Sequence, residues 1–468
     1  MYQYLEDTIA ALATPQGTGA LGIIRVSGAN AIELVDKIFH GKNLRNAEGH
    51  TVHYGKIRKE DGYILDECLA LVFKAPRSFT KENLVELNCH GSPYILNEVL
   101  QLLIRQGGRM ARQGEFTLRA FLNGQFDLTQ AEAIADLIAS DSAADHALAM
   151  EQMRGGFSEE IKQLRQELID FAALIELELD FGEEDVEFAD RGKLNALVNK
   201  IIGVISRLID SFQLGNVIKH GVSTVIAGRP NAGKSTLLNA LLNEERALVT
   251  EIAGTTRDTI EESINIKGLQ FRLIDTAGIR TTEDIIEKMG VDKTMEKIAQ
   301  STIVLYVFDA VDTHPEQLWE DVSLFLENNK QLGRASHKIF LANKMDLNPY
   351  TKPEQFYREG LITKKNLLSL SAKNKMNIEA LKDMLYASVI EAPDLMNQTI
   401  VNNSRHYDAL LSSRESLEKV IEGLNTCLTG DFIALDIRQA LNYLGEITGE
   451  IHTDDLLDSI FTRFCIGK

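Results

Sequence analysis

Apolar and polar positions repeat with different periods in successive parts of the chain, and the changes of period mark four regions. Over residues 1–120 the pattern mixes strand and helix. LGIIRVSG (21–28) is a short apolar, β-branched run, and ANAIELVDKIF (29–39) repeats its apolar positions at helical spacing. HTVHYGKIRK and YILDECLALVF flank a Lys59-Glu60-Asp61-Gly62 turn, which predicts a hairpin. NLVELNCHG then leads into a helix, YILNEVLQLLIRQ, stopped by Gly107 and Gly108.

From 121 to 215 the period becomes helical. Thr129-Gln130-Ala131-Glu132 fits a capping box and predicts one long amphipathic helix running to Gly155-Gly156. Helices over about 158–181 and 192–214 follow. Residues 174–190 carry eight Asp or Glu and no Lys or Arg, a pattern read as a solvated helix end and acidic loop rather than a metal site. Residues 216–379 alternate strands and helices: VSTVIAG, KSTLLNALL, TIEESINIKG, FRLIDTAG, IVLYVFDA, KIFLANKMD, LLSLSAK and IEALKDMLYASVI. That order predicts a parallel-rich, doubly wound sheet. Residues 380–468 return to long helices, 398–428 and 431–449, with a shorter one near 453–463. The expected fold is an α/β domain inserted in an α-helical domain built from 121–215 and 380–468, preceded by an α+β N-terminal domain.

Length and composition agree with two or three ordinary globular domains: 468 residues, 44% hydrophobic and 25% charged. No apolar run reaches the roughly 18–20 residues needed to span a bilayer, so no membrane span is expected. MYQYLEDTIAALATPQ lacks the basic start and long apolar stretch of a signal peptide. Cys68, Cys89, Cys427 and Cys465 have neither metal-ligand nor disulfide-framework spacing, which points to a reduced, cytoplasmic protein. The first three read as buried packing residues. The net charge of −19 is a poor match for gripping RNA over a broad surface, so any nucleic-acid substrate would be held largely by a more basic partner.

The chemistry concentrates in residues 216–379. Gly228-Arg229-Pro230-Asn231-Ala232-Gly233-Lys234-Ser235 follows an apolar strand and opens a helix, the context of a phosphate-binding loop. Backbone N–H groups of such a loop wrap the phosphates at a helix N-terminus, Lys234 neutralises the β- and γ-phosphates, and Ser235 ligates Mg²⁺, with Thr236 following. Asp275-Thr276-Ala277-Gly278 ends the strand FRLI; Asp275 holds Mg²⁺ through its water shell and the Gly278 N–H senses the γ-phosphate. Asn343-Lys344-Met345-Asp346 fits N-K-x-D, in which the Asp346 carboxylate accepts from N1–H and the exocyclic amine of guanine, a donor pair adenine lacks. Ser371-Ala372-Lys373 follows at the next strand end, where a backbone N–H reaches the guanine O6. Ile279 stands where a Ras-like enzyme has its water-orienting glutamine. Gly17-Thr18-Gly19-Ala20-Leu21-Gly22 spells a dinucleotide fingerprint, but a strand follows it instead of a helix, so it reads as a loop.

GRPNAGKST, IAGTTRD (252–258), DTAGIR and the terminal Cys465-Ile466-Gly467-Lys468 together resemble the MnmE (TrmE) family of tRNA-modification GTPases, as do TPQGTGALGIIRVSG (14–28) and GEFTLRAFLNGQFDLTQAEAIADLI (114–138). The resemblance runs over essentially the whole chain. It implies a homodimer whose paired nucleotide domains hydrolyse GTP around K⁺, the cation replacing an arginine finger. Asn231 would give K⁺ a side-chain oxygen, and carbonyls of Thr250, Ile252 and Thr255 would close the cage. The segment Thr250-Glu251-Ile252-Ala253-Gly254-Thr255-Thr256 is expected to contact GTP, with Thr256 on Mg²⁺ and Glu287 orienting water in place of the missing glutamine.

The N-terminal region resembles the folate-binding fold of aminomethyltransferases. That resemblance implies a tetrahydrofolate carrying a one-carbon unit (5-formyl or 5,10-methylene type) bound by Arg25, Glu82, Gln125 and Lys468. Cys465 matches a required terminal cysteine, with a role as nucleophile or proton relay. The implied activity, with a flavin- and NADH-dependent MnmG (GidA) partner, is addition of a carboxymethylaminomethyl or aminomethyl group at C5 of the tRNA wobble uridine. The competing reading is an Era-type ribosome-assembly switch that binds RNA, against which the acidic helical frame and the C-I-G-K tail argue. A stand-alone aminomethyltransferase leaves 216–379 unexplained.

Overall fold

The computed structural model describes residues 7–180, 191–242, 261–275, 301–328, 337–348, 350–390, 399–426 and 428–468, with side chains at 176–180, 261, 275 and 328 left undescribed. The chain forms two compact units: 1–139 with 149–206 and 408–468, and 140–148 with 207–407.

The first unit opens with a seven-stranded sheet in the order β3-β4-β5-β6-β2-β1-β7, made of β1 (Ile9–Leu12), β2 (Leu21–Ser27), β3 (Phe39–His40), β4 (Thr51–Arg58), β5 (Ile64–Phe73), β6 (Leu84–His90) and β7 (Arg109–Met110). All pairings are antiparallel except β1 with β7. The expected hairpin is β4–β5. Helices α1 (Ala31–Asp36) and α2 (Pro93–Arg105) cover one face, where Ile24, Val26, Val35, Val72, Val85, Leu87 and Leu103 form the core. The G-x-G-x-x-G run leads directly into β2, as its following strand required.

Helices α3 (Glu115–Leu122), α4 (Leu128–Ala139), α5 (Ala143–Met153), α6 (Gly156–Asp180) and α7 (Arg191–His220) come next. The single long helix expected from 129 to 155 is two helices. Asp127 does the capping expected of Thr129: its Oδ1 accepts from the Gln130 N–H at 3.1 Å and the Thr129 hydroxyl at 2.7 Å, while Gln130 Oε1 accepts from the Asp127 N–H at 3.0 Å. A box of the same logic therefore sits two residues earlier, because an aspartate at the first position outcompetes a threonine already inside the turn. The second helix gets its own cap, Ser142, whose hydroxyl accepts from the Asp145 N–H at 3.2 Å. Much of the acidic stretch 174–190 lies outside the described residues.

Past the α/β domain, α11 (Ser404–Asn425), α12 (Gly430–Thr448) and α13 (Asp454–Phe461) rebuild helical structure. α12 lies along α6: Arg165 Nε donates to Leu441 O at 3.3 Å, and its guanidinium pairs with Glu450. α13 packs with Leu118, Leu128 and Ala131 through Leu457, Ile460 and Phe461. Helices from before and after the α/β domain thus share one core, and the α/β domain is an insertion. α7 is the one described helix long and apolar enough to cross a membrane by length and composition. Its buried residues Leu194, Val198, Ile201, Ile205 and Leu208 fall four and three apart, which is a packing stripe.

The second unit carries a six-stranded sheet in the order β13-β12-β11-β8-β10-β9, from β8 (Val222–Ala227), β9 (Glu261–Ile266), β10 (Leu269–Asp275), β11 (Ile303–Asp309), β12 (His337–Asn343) and β13 (Leu367–Ser369). Only β9, at the edge, runs antiparallel. Along β11, Ile303, Leu305 and Val307 enter one core while Val304, Tyr306 and Phe308 enter the other. This period of two, buried on both faces, is why the run reads as continuously apolar. Helices α8 (Lys234–Leu242), α9 (Pro315–Asn328) and α10 (Ile378–Val389) complete the unit.

Burial works to raise the Asp127 carboxyl, but Ser158, Thr129, Lys162 and the Gln130 N–H hold it below the usual carboxylate range. A depressed folded value contributes stability above the unfolded one and loses it as pH falls through the folded one. Asp127→Ala is expected to cost about 1–2 kcal/mol at pH 7, and the gap to wild type in urea unfolding should shrink below about pH 4. A gap unchanged by acid would contradict this.

Candidate functional site

In the second unit, the loop between β8 and α8 is shaped by a backbone constraint. Gly228 has φ +140°, and a Cβ there would lie 2.0 Å from Val307 O on β11. No side chain fits, so only glycine lets the loop approach the sheet this closely. Lys234, at the start of α8, is buried, and its ammonium donates to Gly228 O at 2.8 Å and Arg229 O at 2.9 Å. Ser235 and Thr236 are exposed in the first turn of α8, and Asn231 is exposed with φ +63°.

Asn343 ends β12 and is buried. Its Nδ2 donates to Ala232 O at 2.8 Å, and its Oδ1 accepts from the Ala372 N–H at 3.0 Å. One amide therefore ties the phosphate loop to the 371–373 turn. That turn in turn holds Asp346: the Ser371 hydroxyl donates to Asp346 Oδ1 at 2.6 Å and accepts from the Asn374 N–H at 3.2 Å. Lys373 beside them is exposed. Asp346, with roughly four acceptor positions on its carboxylate, keeps capacity for the two donors of a guanine edge.

Two features here escaped the sequence reading. Lys344 donates to Asp309 Oδ2 at 2.6 Å, and Arg229 pairs with Asp321 on α9, Nη2 to Oδ1 at 2.7 Å. Both pairs line a cavity of about 270 Å³ that also includes Asn231, Tyr306 and Gln317. The available signal was Asp309 itself, a carboxylate ending a parallel strand directly beside Asn343 in register. Asp275 ends β10 opposite Ile226. Thr250, Glu251, Ile252, Ala253, Gly254, Thr255, Thr256, Thr276, Ala277, Gly278, Ile279 and Glu287 lie outside the described residues.

In the first unit the C-terminal tail meets the sheet. Arg25 on β2 pairs with its cross-strand neighbour Glu86, Nη2 to Oε1 at 2.8 Å, and its Nη1 donates to Gly467 O at 3.2 Å. Its guanidinium lies 5.4 Å from the Phe79 ring centre and 5.7 Å from that of Phe116. Gly467 has φ +95°, and a Cβ would sit 2.3 Å from Leu12 O, so only glycine lets the tail lie this close. Ile466 bridges to Gln113, and Cys465 O accepts from the Gly114 N–H at 3.4 Å, leaving the Cys465 side chain exposed. Burial, then repulsion from Arg25, pushes the Lys468 ammonium below the usual lysine value.

Glu82 accepts from the Ser27 hydroxyl at 2.7 Å and from Arg119 Nη1 at 3.3 Å. Arg119 was not singled out from sequence, yet its side chain is fully buried, where Nη2 reaches Asp7 Oδ1 at 2.5 Å and Glu115 Oε1 at 3.1 Å. Gln125 lines an open cleft of about 560 Å³ with Phe79, Phe73, Ser78 and His50. Phe79 thus joins two of the expected residues: it underlies Arg25, which contacts the tail, and shares the cleft with Gln125. Cys68 and Cys89 are buried neighbours on β5 and β6, as their packing reading anticipated, and Cys427 lies outside the described residues.

A phosphate loop, an N-K-x-D strand end and a serine-anchored turn joined by one asparagine define a guanine-nucleotide-binding P-loop domain. The rest of the chain narrows this further. A family model for the MnmE helical domain matches residues 128–465, and one for the GTP-binding protein TrmE N-terminus matches 8–125. Proteins called tRNA modification GTPase MnmE are similar over nearly the full length: 53% identity with that of Cytophaga hutchinsonii, covering 99% of this chain and 98% of the relative, and 53% with that of Christiangramia forsetii, covering 99% and 100%. The protein of Flavobacterium psychrophilum is 52% identical over 99% of both. This chain belongs to the MnmE family of tRNA modification GTPases.

Arg119→Met removes the cationic partner of Glu82 and one of the two arginines, the other being Arg109, that pair with Asp7 and Glu115. The expected loss is about 3–5 kcal/mol in urea unfolding. A loss below 1 kcal/mol would show that water or Arg109 replaces it.

Proposed function

We propose that the chain is a K⁺-dependent GTP hydrolase that acts as a cytoplasmic homodimer with a flavin- and NADH-dependent partner of the MnmG (GidA) type. Together they install a carboxymethylaminomethyl or aminomethyl group at C5 of the tRNA wobble uridine. The observation that carries this reading is the Asn343 amide, which assembles the guanine site in one unit of a chain whose other unit holds a C-I-G-K tail against Arg25. The relatives' name supplies the link to tRNA modification. An acidic chain leaves the RNA grip largely to the partner. Exposed Val52, Tyr54 and Leu69, adjacent on β4 and β5, supply an apolar sheet face suited to a second copy.

Within the nucleotide site, Lys234 exchanges the Gly228 and Arg229 carbonyls for β- and γ-phosphate oxygens. Mg²⁺ would be held by the hydroxyls of Ser235 and Thr256, with Asp275 acting through its water shell, and would supply charge neutralisation. K⁺ would be held by Asn231 and the carbonyls of Thr250, Ile252 and Thr255, supplying the positive charge of an arginine finger. The exposed, left-handed Asn231 suits that donation. Glu287 orients the attacking water.

In the first unit, a one-carbon tetrahydrofolate would supply the bridging carbon. Arg25 and Lys468 provide cationic groups for its carboxylates, Glu82 accepts from the pterin edge, and Gln125 lines the cleft. Glu82 already takes two donors of the roughly four a carboxylate accommodates, so capacity remains. Cys465, exposed at the tail, acts in the one-carbon chemistry.

GTP turnover should rise sharply in K⁺ and stay low in Na⁺ at equal ionic strength, and Asp346→Asn should favour xanthosine nucleotides over GTP. Equal rates in the two salts would remove the cation mechanism. Cys465→Ser should retain K⁺-stimulated hydrolysis while abolishing the modified wobble nucleoside, read by mass spectrometry of cellular tRNA. Normal nucleoside in those cells would exclude Cys465 from the chemistry.

A further inference from the structure

Asp309 and Lys344 are brought together by strand register, since Asp309 ends β11 directly beside Asn343 on β12. The Asp309 carboxylate does not rotate freely. Its Oδ1 accepts from the Val311 N–H at 2.9 Å and the Asp312 N–H at 3.4 Å, which turns Oδ2 toward Lys344 Nζ at 2.6 Å. Lys344 is constrained from its own side as well: its backbone is left-handed, with φ +66°, and it sits between Asn343 and Asp346, both anchored. The carboxylate is mostly buried, at 13% side-chain exposure, and the lysine is about a third exposed, at 32%. Burial works to raise the Asp309 carboxyl, yet the Lys344 hydrogen bond and the two N–H groups outweigh it.

We propose that Asp309 is a positioning residue for guanine-nucleotide binding, acting by pre-ordering the Lys344 side chain beside the base site. A lysine has a long, freely rotating stem, and a stem ordered before the ligand arrives spares that ordering cost on binding. The proposal rests on the reading that the Asn343–Asp346 segment recognises guanine.

Asp309→Asn isolates the ion pair, because an asparagine oxygen still accepts from Val311 and Asp312 while the charge facing Lys344 is lost. The test is a double-mutant cycle on the full-length protein with fluorescently labelled GDP and ADP. Wild type preferring GDP over ADP confirms the underlying reading; no preference removes it, and the proposal with it. Asp309→Asn should weaken GDP about tenfold, mainly through faster release, in a protein that still unfolds in one cooperative transition. In a Lys344→Ala background the same change should have little further effect. Unchanged GDP affinity in Asp309→Asn overturns the proposal. So does an equal loss with and without Lys344, which would mean that Asp309 acts through the turn alone.

Discussion

The nucleotide domain depends on the buried amide of Asn343. An amide offers a donor end and an acceptor end in fixed geometry, and here the donor takes a carbonyl of the phosphate loop while the acceptor takes an N–H of the 371–373 turn. Its two partners stand 111 and 29 residues away in the chain. Both bonds span segments that the β8–β11–β12–β13 pairings bring together, so the register of the sheet also positions the site. A buried polar group left half satisfied is costly, which makes this arrangement cooperative. The Asp346–Ser371 hydrogen bond and the Lys344–Asp309 pair extend the same logic to the residues facing the base.

The other unit solves a comparable problem with charge. Arg119 is fully buried among Asp7, Glu82 and Glu115, an arrangement tolerable only because the planar guanidinium meets several carboxylates at once. It anchors the base of α3 to the sheet and sets the orientation of Glu82. The C-terminal tail is placed by shape: Gly467 admits the close approach to Leu12, and Arg25 receives its carbonyl. A neutral hydrogen-bonded clamp and an ionic cluster thus position two different sets of polar groups.

Membership of the MnmE family agrees with how the chain divides its surface chemistry. Forty-nine basic residues face 68 acidic ones, and the prominent cations described here are engaged internally: Lys234 on loop carbonyls, Lys344 on Asp309, Arg229 on Asp321, Arg25 on Glu86. Residues so engaged organise small anionic ligands better than they grip a long polyanion.

The linear order of residues determined the elements that arise from local preference and short-range pattern. The phosphate loop between strand and helix, the apolar run ending in Asn343, the β4–β5 hairpin and the insertion of one domain into another were all legible, because periodicity and turn chemistry act over a few residues. Tertiary structure decided what depends on contacts between distant segments. It placed the helix cap at Asp127 instead of Thr129, broke the helix at 140–142, and buried Arg119 on a helix that the sequence reading had not marked. It also paired Asp309 with Lys344, through strand register that no local window contains. The physical reason is common to these cases. Charge pairing and cap competition are settled by which groups lose water together, and that is known only once the chain has folded.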